Sequence, residues 1–145
     1  IGTPAFREIM ERVVRNAKTL AEELQSYGFR IISGGTDNHI VMVDLRPKNL
    51  TGKAFEEALE YVGITVKKNV IPFDKESPMV TSGVRIGLTS TTQRGLKEKE
   101  ITQIAGIMNE VAANVDNKAK LDELKAQAAA LISEFPLYPE GYFED

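Results

Sequence analysis

The chain has no cysteine and a single histidine, His39. Without cysteine there is no disulfide and no thiolate metal site. The sequence holds no nucleophile elbow, and a lone imidazole is a poor start for a metal cluster, so no metal is expected. A basic excess is missing as well. The formal net charge is -3, which argues against nucleic acid as the main partner, because phosphate binding needs clustered positive charge. No apolar run approaches the roughly 18 residues of a membrane span, and no signal peptide is visible. A cytoplasmic setting fits these absences. An initiating Met is also lacking: the chain opens Ile1-Gly2-Thr3-Pro4, and the expectation is a piece of something longer.

What is present is the material of one globular domain. The 145 residues are 42% hydrophobic and 27% charged, enough to bury a core and too apolar for disorder. Thr3-Pro4 opens a helix, with Thr as N-cap and Pro at the first position. Phe6, Ile9, Met10, Val13, Val14, Ala17, Leu20, Ala21 and Leu24 recur at helical spacing, and Gly28 ends the run. This helix, about 3–27, carries a wide apolar stripe that is expected to touch a second body and to leave apolar surface exposed. Phe29 to Ser33 and His39 to Leu45 read as an antiparallel hairpin around the turn cluster 34–38. Thr51 caps a second helix that Gly63 closes. Ile64 to Val66 reads as a short strand, and 67–83 as a long polar loop of the kind compact domains rarely keep without purpose. A strand through Arg85 follows, then helices over about 97–115 and 118–133 with Asp116-Asn117 between them, and a tail rich in aromatics from Phe135. The order α-β-β-α-β-β-α-α predicts an α+β two-layer domain: a short antiparallel or mixed sheet with helices mainly on one face.

Arg85 is the first candidate for chemistry. Val84, Ile86 and Leu88 around it read as a buried strand, where a permanent charge needs an anionic partner. That partner is either internal, Asp44 or a neighbouring glutamate, or the carboxylate of a ligand such as an amino acid or keto acid, which the guanidinium fork grips in two parallel hydrogen bonds. Gly83 and Gly87 favour close approach of another group. Lys67-Lys68-Asn69 stands at the mouth of the long loop. Asn69 offers a donor and an acceptor to a polar ring, and the lysines attract an anionic tail, or the segment is a solvated loop start. His39, at a strand start, reads first as a structural residue. Gly34-Gly35-Thr36 follows a strand but opens no helix, so it is a turn and not a phosphate loop.

Taken together, Ser33-Gly34-Gly35-Thr36-Asp37-Asn38-His39, Val43-Asp44-Leu45, Lys68-Asn69, Ile71-Pro72-Phe73-Asp74, Ser77-Pro78, Thr81-Ser82-Gly83-Val84-Arg85-Ile86-Gly87 and Arg94-Gly95 resemble serine hydroxymethyltransferase. The match is to its small C-terminal domain, and Asn16 to Ala21 is similar to the helix leading into it. The resemblance implies a homodimeric or tetrameric enzyme of fold type I that depends on pyridoxal 5'-phosphate. It interconverts serine plus tetrahydrofolate with glycine plus 5,10-methylenetetrahydrofolate, in one-carbon metabolism and glycine biosynthesis. It implies that 1–145 is a single small domain packed on a large one. Arg85 would grip the substrate carboxylate, Asn69 would contact the folate with Lys68 nearby, and Arg94 would support the site, with His39 a further candidate. Fixing the carboxylate orients the bond to be broken against the cofactor.

The family's Schiff-base lysine, in a Thr-rich stretch ending His-Lys, has no counterpart in this sequence, so the chain by itself is expected to be inactive. Lys67, Leu88 and Gln93 depart from the common family residues close to the expected site. Two other readings are a stand-alone, non-catalytic amino-acid-binding module and an interaction domain that has lost the ligand. The last requires Arg85 to pair internally.

Overall fold

The computed structural model describes residues 4–32, 40–87 and 95–133. Helix α1 (Pro4–Ser26) leads into strands β1 (Arg30–Ile31) and β2 (Ile40–Asp44). A 3-10 turn (Arg46–Lys48) and α2 (Gly52–Val62) follow, then β3 (Lys67–Asn69), β4 (Gly83–Gly87), α3 (Glu98–Ala113) and α4 (Lys118–Ser133). The turn of the expected hairpin, His39, Leu88, Gln93, Arg94 and the aromatic tail lie outside the described residues.

Local chemistry sets the helix ends. Gly28 at φ +94° and Gly63 at φ +104° occupy the left-handed region that glycine enters without strain. Each closes its helix in the same way. The Gly28 N–H donates to the Gln25 carbonyl and the Phe29 N–H to Leu24; the Gly63 N–H donates to Glu60 and the Ile64 N–H to Leu59. The residue after each glycine is apolar and turns back towards the core. Thr51 Oγ1 accepts from the Ala54 N–H at 3.2 Å and so caps α2. Glu100 accepts from the Lys97 N–H at the start of α3. Asn117 accepts from the Lys120 N–H at the start of α4, which is why the chain breaks at Asp116-Asn117.

The four strands form one sheet in the order β1-β2-β4-β3, every pair antiparallel. The fold is therefore the expected small α+β domain. Alternation along the strands divides the sheet into two faces. Val41, Val43, Val84 and Ile86 point to one face and join a single cluster with Val13, Leu20 and Leu24 of α1 and Phe55 and Leu59 of α2. Ile101, Met108 and Val111 of α3 and Leu121 and Leu124 of α4 extend the same cluster. Helices α1 and α2 lie on the sheet, and α3 and α4 pack over them. Tyr61 of α2 fastens to Asp122 of α4 through its hydroxyl, with Lys125 over its ring.

One expectation changes. The strand expected at Ile64–Val66 is instead at Lys67–Asn69. Ile64 is taken up by the helix cap, and Val66 is buried. The polar Lys-Asn run supplies the edge strand, which has an open face and so needs no apolar alternation on both sides. In the α1 stripe Val13, Ala17, Leu20, Ala21 and Leu24 are buried within the domain, while Ile9, Met10 and Val14 are half-buried. Large exposed apolar side chains occur elsewhere, with Phe73 92% and Met79 74% exposed in the β3–β4 connection.

Candidate functional site

Opposite the helices, the sheet presents a polar face. Register places Arg30 beside Asp44, Asp44 beside Gly83, Met42 beside Arg85, Arg85 beside Lys67, and Gly83 beside Asn69. These residues share one side of the sheet because paired residues in a ladder point the same way. Arg85 therefore does not lie within apolar packing. Its neighbours Val84 and Ile86 are buried against the helices, while Arg85 itself is exposed on the other side.

Asp44 is the anchor of this face. Its carboxylate is almost fully buried and holds two arginines. Arg46 approaches with its fork, Nε to Oδ1 at 3.1 Å and Nη2 to Oδ2 at 2.8 Å. Arg30 Nη1 donates to Oδ2 at 2.8 Å, and the Arg46 N–H donates to Oδ1 at 2.9 Å. Burial pushes the Asp44 carboxyl up, but the hydrogen bonds from Arg46 and Arg30 outweigh it and hold the group below the usual carboxylate range. The internal partner expected for Arg85 is thus already committed. Among the described residues no carboxylate pairs with Arg85, which removes the premise of an interaction domain whose arginine is satisfied from within.

A second carboxylate organises the connection between β3 and β4. Asp74 accepts from the Ser82 N–H and Ser82 Oγ, both at 2.8 Å. It also accepts from the Glu76 N–H at 2.9 Å and the Ile71 N–H at 3.3 Å. Burial raises its pKa, but these four donors overcome that and leave it lowered. The connection is thereby folded back onto the start of β4 and does not hang free. Arg46 Nη1 also donates to the Phe73 carbonyl, linking the two carboxylate clusters.

The backbone at this end is strained. Phe73 at φ 59° and Thr81 at φ 57° sit in the left-handed region, unusual for a ring-bearing or β-branched residue. Thr81 is fixed by the Gly52 N–H donating to its carbonyl at 3.0 Å and by its own hydroxyl donating to the Gly83 carbonyl at 2.9 Å. The first turn of α2 packs directly on it. A Cβ at position 52 would lie 2.1 Å from Thr81 Oγ1 and 2.4 Å from the Gly83 carbonyl oxygen.

Asn69 shares the open face with Arg85. Its Nδ2 donates to the Val70 carbonyl at 2.9 Å and to Met42 Sδ at 3.6 Å, which leaves Oδ1 free to accept among the described residues. Lys68, next in sequence, points the other way. Its partner in the ladder is the buried Val84. Its N–H donates to Glu56 of α2 at 2.7 Å, and its Nζ lies 3.7 Å from the same carboxylate. The structure thus brings Arg85 and Asn69 to one face and sets Lys68 on the opposite one. His39 and Arg94 lie outside the described residues.

Arg30, Arg46, Glu56 and Asp74 did not emerge from the sequence. A signal existed for Asp44 and Asp74: each accepts from the backbone N–H two residues on, the Asx turn that an Asp before a turn residue favours. Nothing in the sequence pointed to Glu56, whose partner comes from another element. A cleft of about 690 Å³ lies in the helical layer between Tyr27, Ile107, Lys120 and Leu131. None of the expected site residues lines it. Among the described residues no group of His, Cys, Asp and Glu is placed to hold a metal, and no helix is long and apolar enough to cross a membrane.

The open face therefore offers a free guanidinium and a free amide oxygen on a frame braced by two carboxylates. That is a donor set for a carboxylate-bearing polar ligand. The family model for serine hydroxymethyltransferase matches residues 1–108, a span that contains the whole sheet and its polar face.

Proposed function

The chain belongs to the serine hydroxymethyltransferase family, whose full-length members are pyridoxal-phosphate-dependent transferases, and we propose that it forms the small C-terminal domain of such an enzyme. In this reading the domain supplies half of a shared site. Arg85 binds the carboxylate of serine or glycine, and Asn69 contacts the folate. The observation that carries the proposal is Arg85 itself: exposed on the open face and without a carboxylate among the described residues. An arginine held by its strand with both faces of its fork available is poised to take two parallel hydrogen bonds from a ligand carboxylate.

The lysines of β3 offer pyridoxal phosphate no enclosed covalent anchor. Its covalent anchor must be a lysine. Lys67 is exposed, and Lys68 is engaged by Glu56. No step of the reaction is therefore assigned to this chain through the cofactor. What the chain contributes is binding and orientation. The Arg85 fork fixes the carboxylate plane, and the Asp44 and Asp74 clusters keep β4 and the 70–82 connection in place around it. Lys68 must exchange Glu56 to reach a folate, so its share in the folate site is to lend charge from behind the strand. His39 and Arg94, which lie outside the described residues, complete the proposed set.

The test is Arg85→Ala in the full enzyme. The KM for serine rises and turnover falls, at a cost on the order of 2–5 kcal/mol in transition-state stabilisation. Glycine affinity equal to that of the unaltered enzyme defeats the assignment. The domain assignment is tested separately by the mass of the native gene product: a product of several hundred residues supports it, and one of 145 residues supports a free-standing binding module.

A further inference from the structure

Lys67 stands directly opposite Arg85 in the β3–β4 ladder. Both side chains are exposed on the open face. Neighbouring cations are accounted for. Arg30 and Arg46 share Asp44, and Lys68 has Glu56 on the far side. The side chains of Lys67 and Arg85 have no hydrogen-bonding or ionic partner among the described residues. Like charges directly across a ladder destabilise the pair. The fold does not require this one, since β3 and β4 are already joined by backbone pairing and by the packing of α2 beneath them. A repulsive juxtaposition that the fold does not need, open to solvent, is relieved when an anion sits between the two charges.

We propose that Lys67 and Arg85 together seat one ligand carboxylate, with Lys67 setting its affinity. The guanidinium supplies the planar fork, and the ammonium adds a second, rotatable donor from the adjacent strand. Met42, on the other side of Arg85 in register, provides an apolar flank. The inference rests on the reading of Arg85 as a carboxylate ligand and extends it: Lys67 determines how tightly the carboxylate is held, and Arg85 determines whether it is held at all. The added charge makes binding more sensitive to ionic strength than a single arginine would.

The experiment uses the full protein and acetate as the probe. Melting temperature is followed against acetate at constant ionic strength, with chloride as the balancing ion, which yields an apparent dissociation constant by linkage. Lys67→Gln and Arg85→Gln are compared with the unaltered protein; both positions are exposed, so both variants fold. Lys67→Gln is expected to weaken acetate binding by about threefold to tenfold and to flatten its salt dependence. Arg85→Gln is expected to abolish saturation. Unaltered affinity in Lys67→Gln beside a loss in Arg85→Gln overturns this inference and leaves the reading of Arg85 standing. Unaltered affinity in Arg85→Gln overturns both. Stabilisation by chloride equal to that by acetate reveals screening alone and also overturns the inference.

Discussion

The two faces of the sheet are held by different physics. On the helix side, Val41, Val43, Val84 and Ile86 merge into one apolar cluster with four helices. Stability there comes from area removed from water and from close packing, and it does not depend on charge. On the open side the organising contacts are carboxylates. Asp44 holds two arginines, and Asp74 holds three backbone N–H groups and a hydroxyl. These contacts are directional and depend on charge. The difference separates what makes the domain fold from what makes its surface able to bind. A ligand site needs groups left free in fixed positions, and a hydrophobic core cannot leave polar groups free at low cost.

The sharpest way to break the contrast is to cut into each face in turn. Leu59→Ala removes a fully buried side chain of α2 and is expected to cost about 2–5 kcal/mol in chemical denaturation. Arg85→Ala, on the other face, is expected to leave the denaturation midpoint within about 0.5 kcal/mol of its original stability while removing carboxylate binding. A large loss of stability in Arg85→Ala merges the two faces and refutes the division. Next in size is Gly52→Ala. The 2.1 Å approach to Thr81 Oγ1 leaves no room for a methyl group, so the first turn of α2 must move, at about 1–3 kcal/mol. Full stability in that variant would show that Thr81 is free to yield.

Asp44→Asn comes next, at about 1–3 kcal/mol, because it removes the charge and replaces one of the two acceptor oxygens facing Arg30 and Arg46 with a donor. The same carboxyl predicts a pH dependence. Its folded pKa is depressed, so its contribution is complete above the ordinary carboxylate value of about 4 and is lost as pH falls through the lower folded value. Denaturation measured from pH 6 downwards shows that loss in the unaltered protein. In Asp44→Asn the slope in the acid range is shallower, and an identical slope sinks the assignment. The smallest effect is expected from Glu56→Gln. Its ion pair with Lys68 at 3.7 Å is partly exposed and contributes under about 1 kcal/mol. The variant frees Lys68, and tighter folate binding in the full enzyme would measure how far Glu56 restrains that lysine.

Much of the helical layer was legible from the chain alone. Thr51, Gly28 and Gly63 announce caps whose hydrogen bonds are local, and the spacing of Val13, Ala17, Leu20 and Leu24 fixes which side of α1 is buried. Arg85 and Asn69 were legible as candidates because they stand in motifs. The edge strand was not. Lys67-Lys68-Asn69 carries no apolar alternation, and it becomes a strand only because β4 offers it a free ladder edge. Arg85 is exposed although the buried Val84 and Ile86 on either side suggest burial on all sides. Whether a residue between two buried neighbours is itself buried depends on whether anything covers the second face of the sheet.

The sequence by itself determined the helices, their ends, the apolar side of each strand and the family motifs, because capping, periodicity and backbone preference act over a few residues. Only the tertiary structure decided which carboxylate meets which cation. Arg46 with Asp44 is a local pairing, but Arg30 with Asp44, Lys68 with Glu56, and Lys67 facing Arg85 each join separate elements. Charge attraction has no sequence period, and its strength depends on distances that exist only once the core has drawn the strands together.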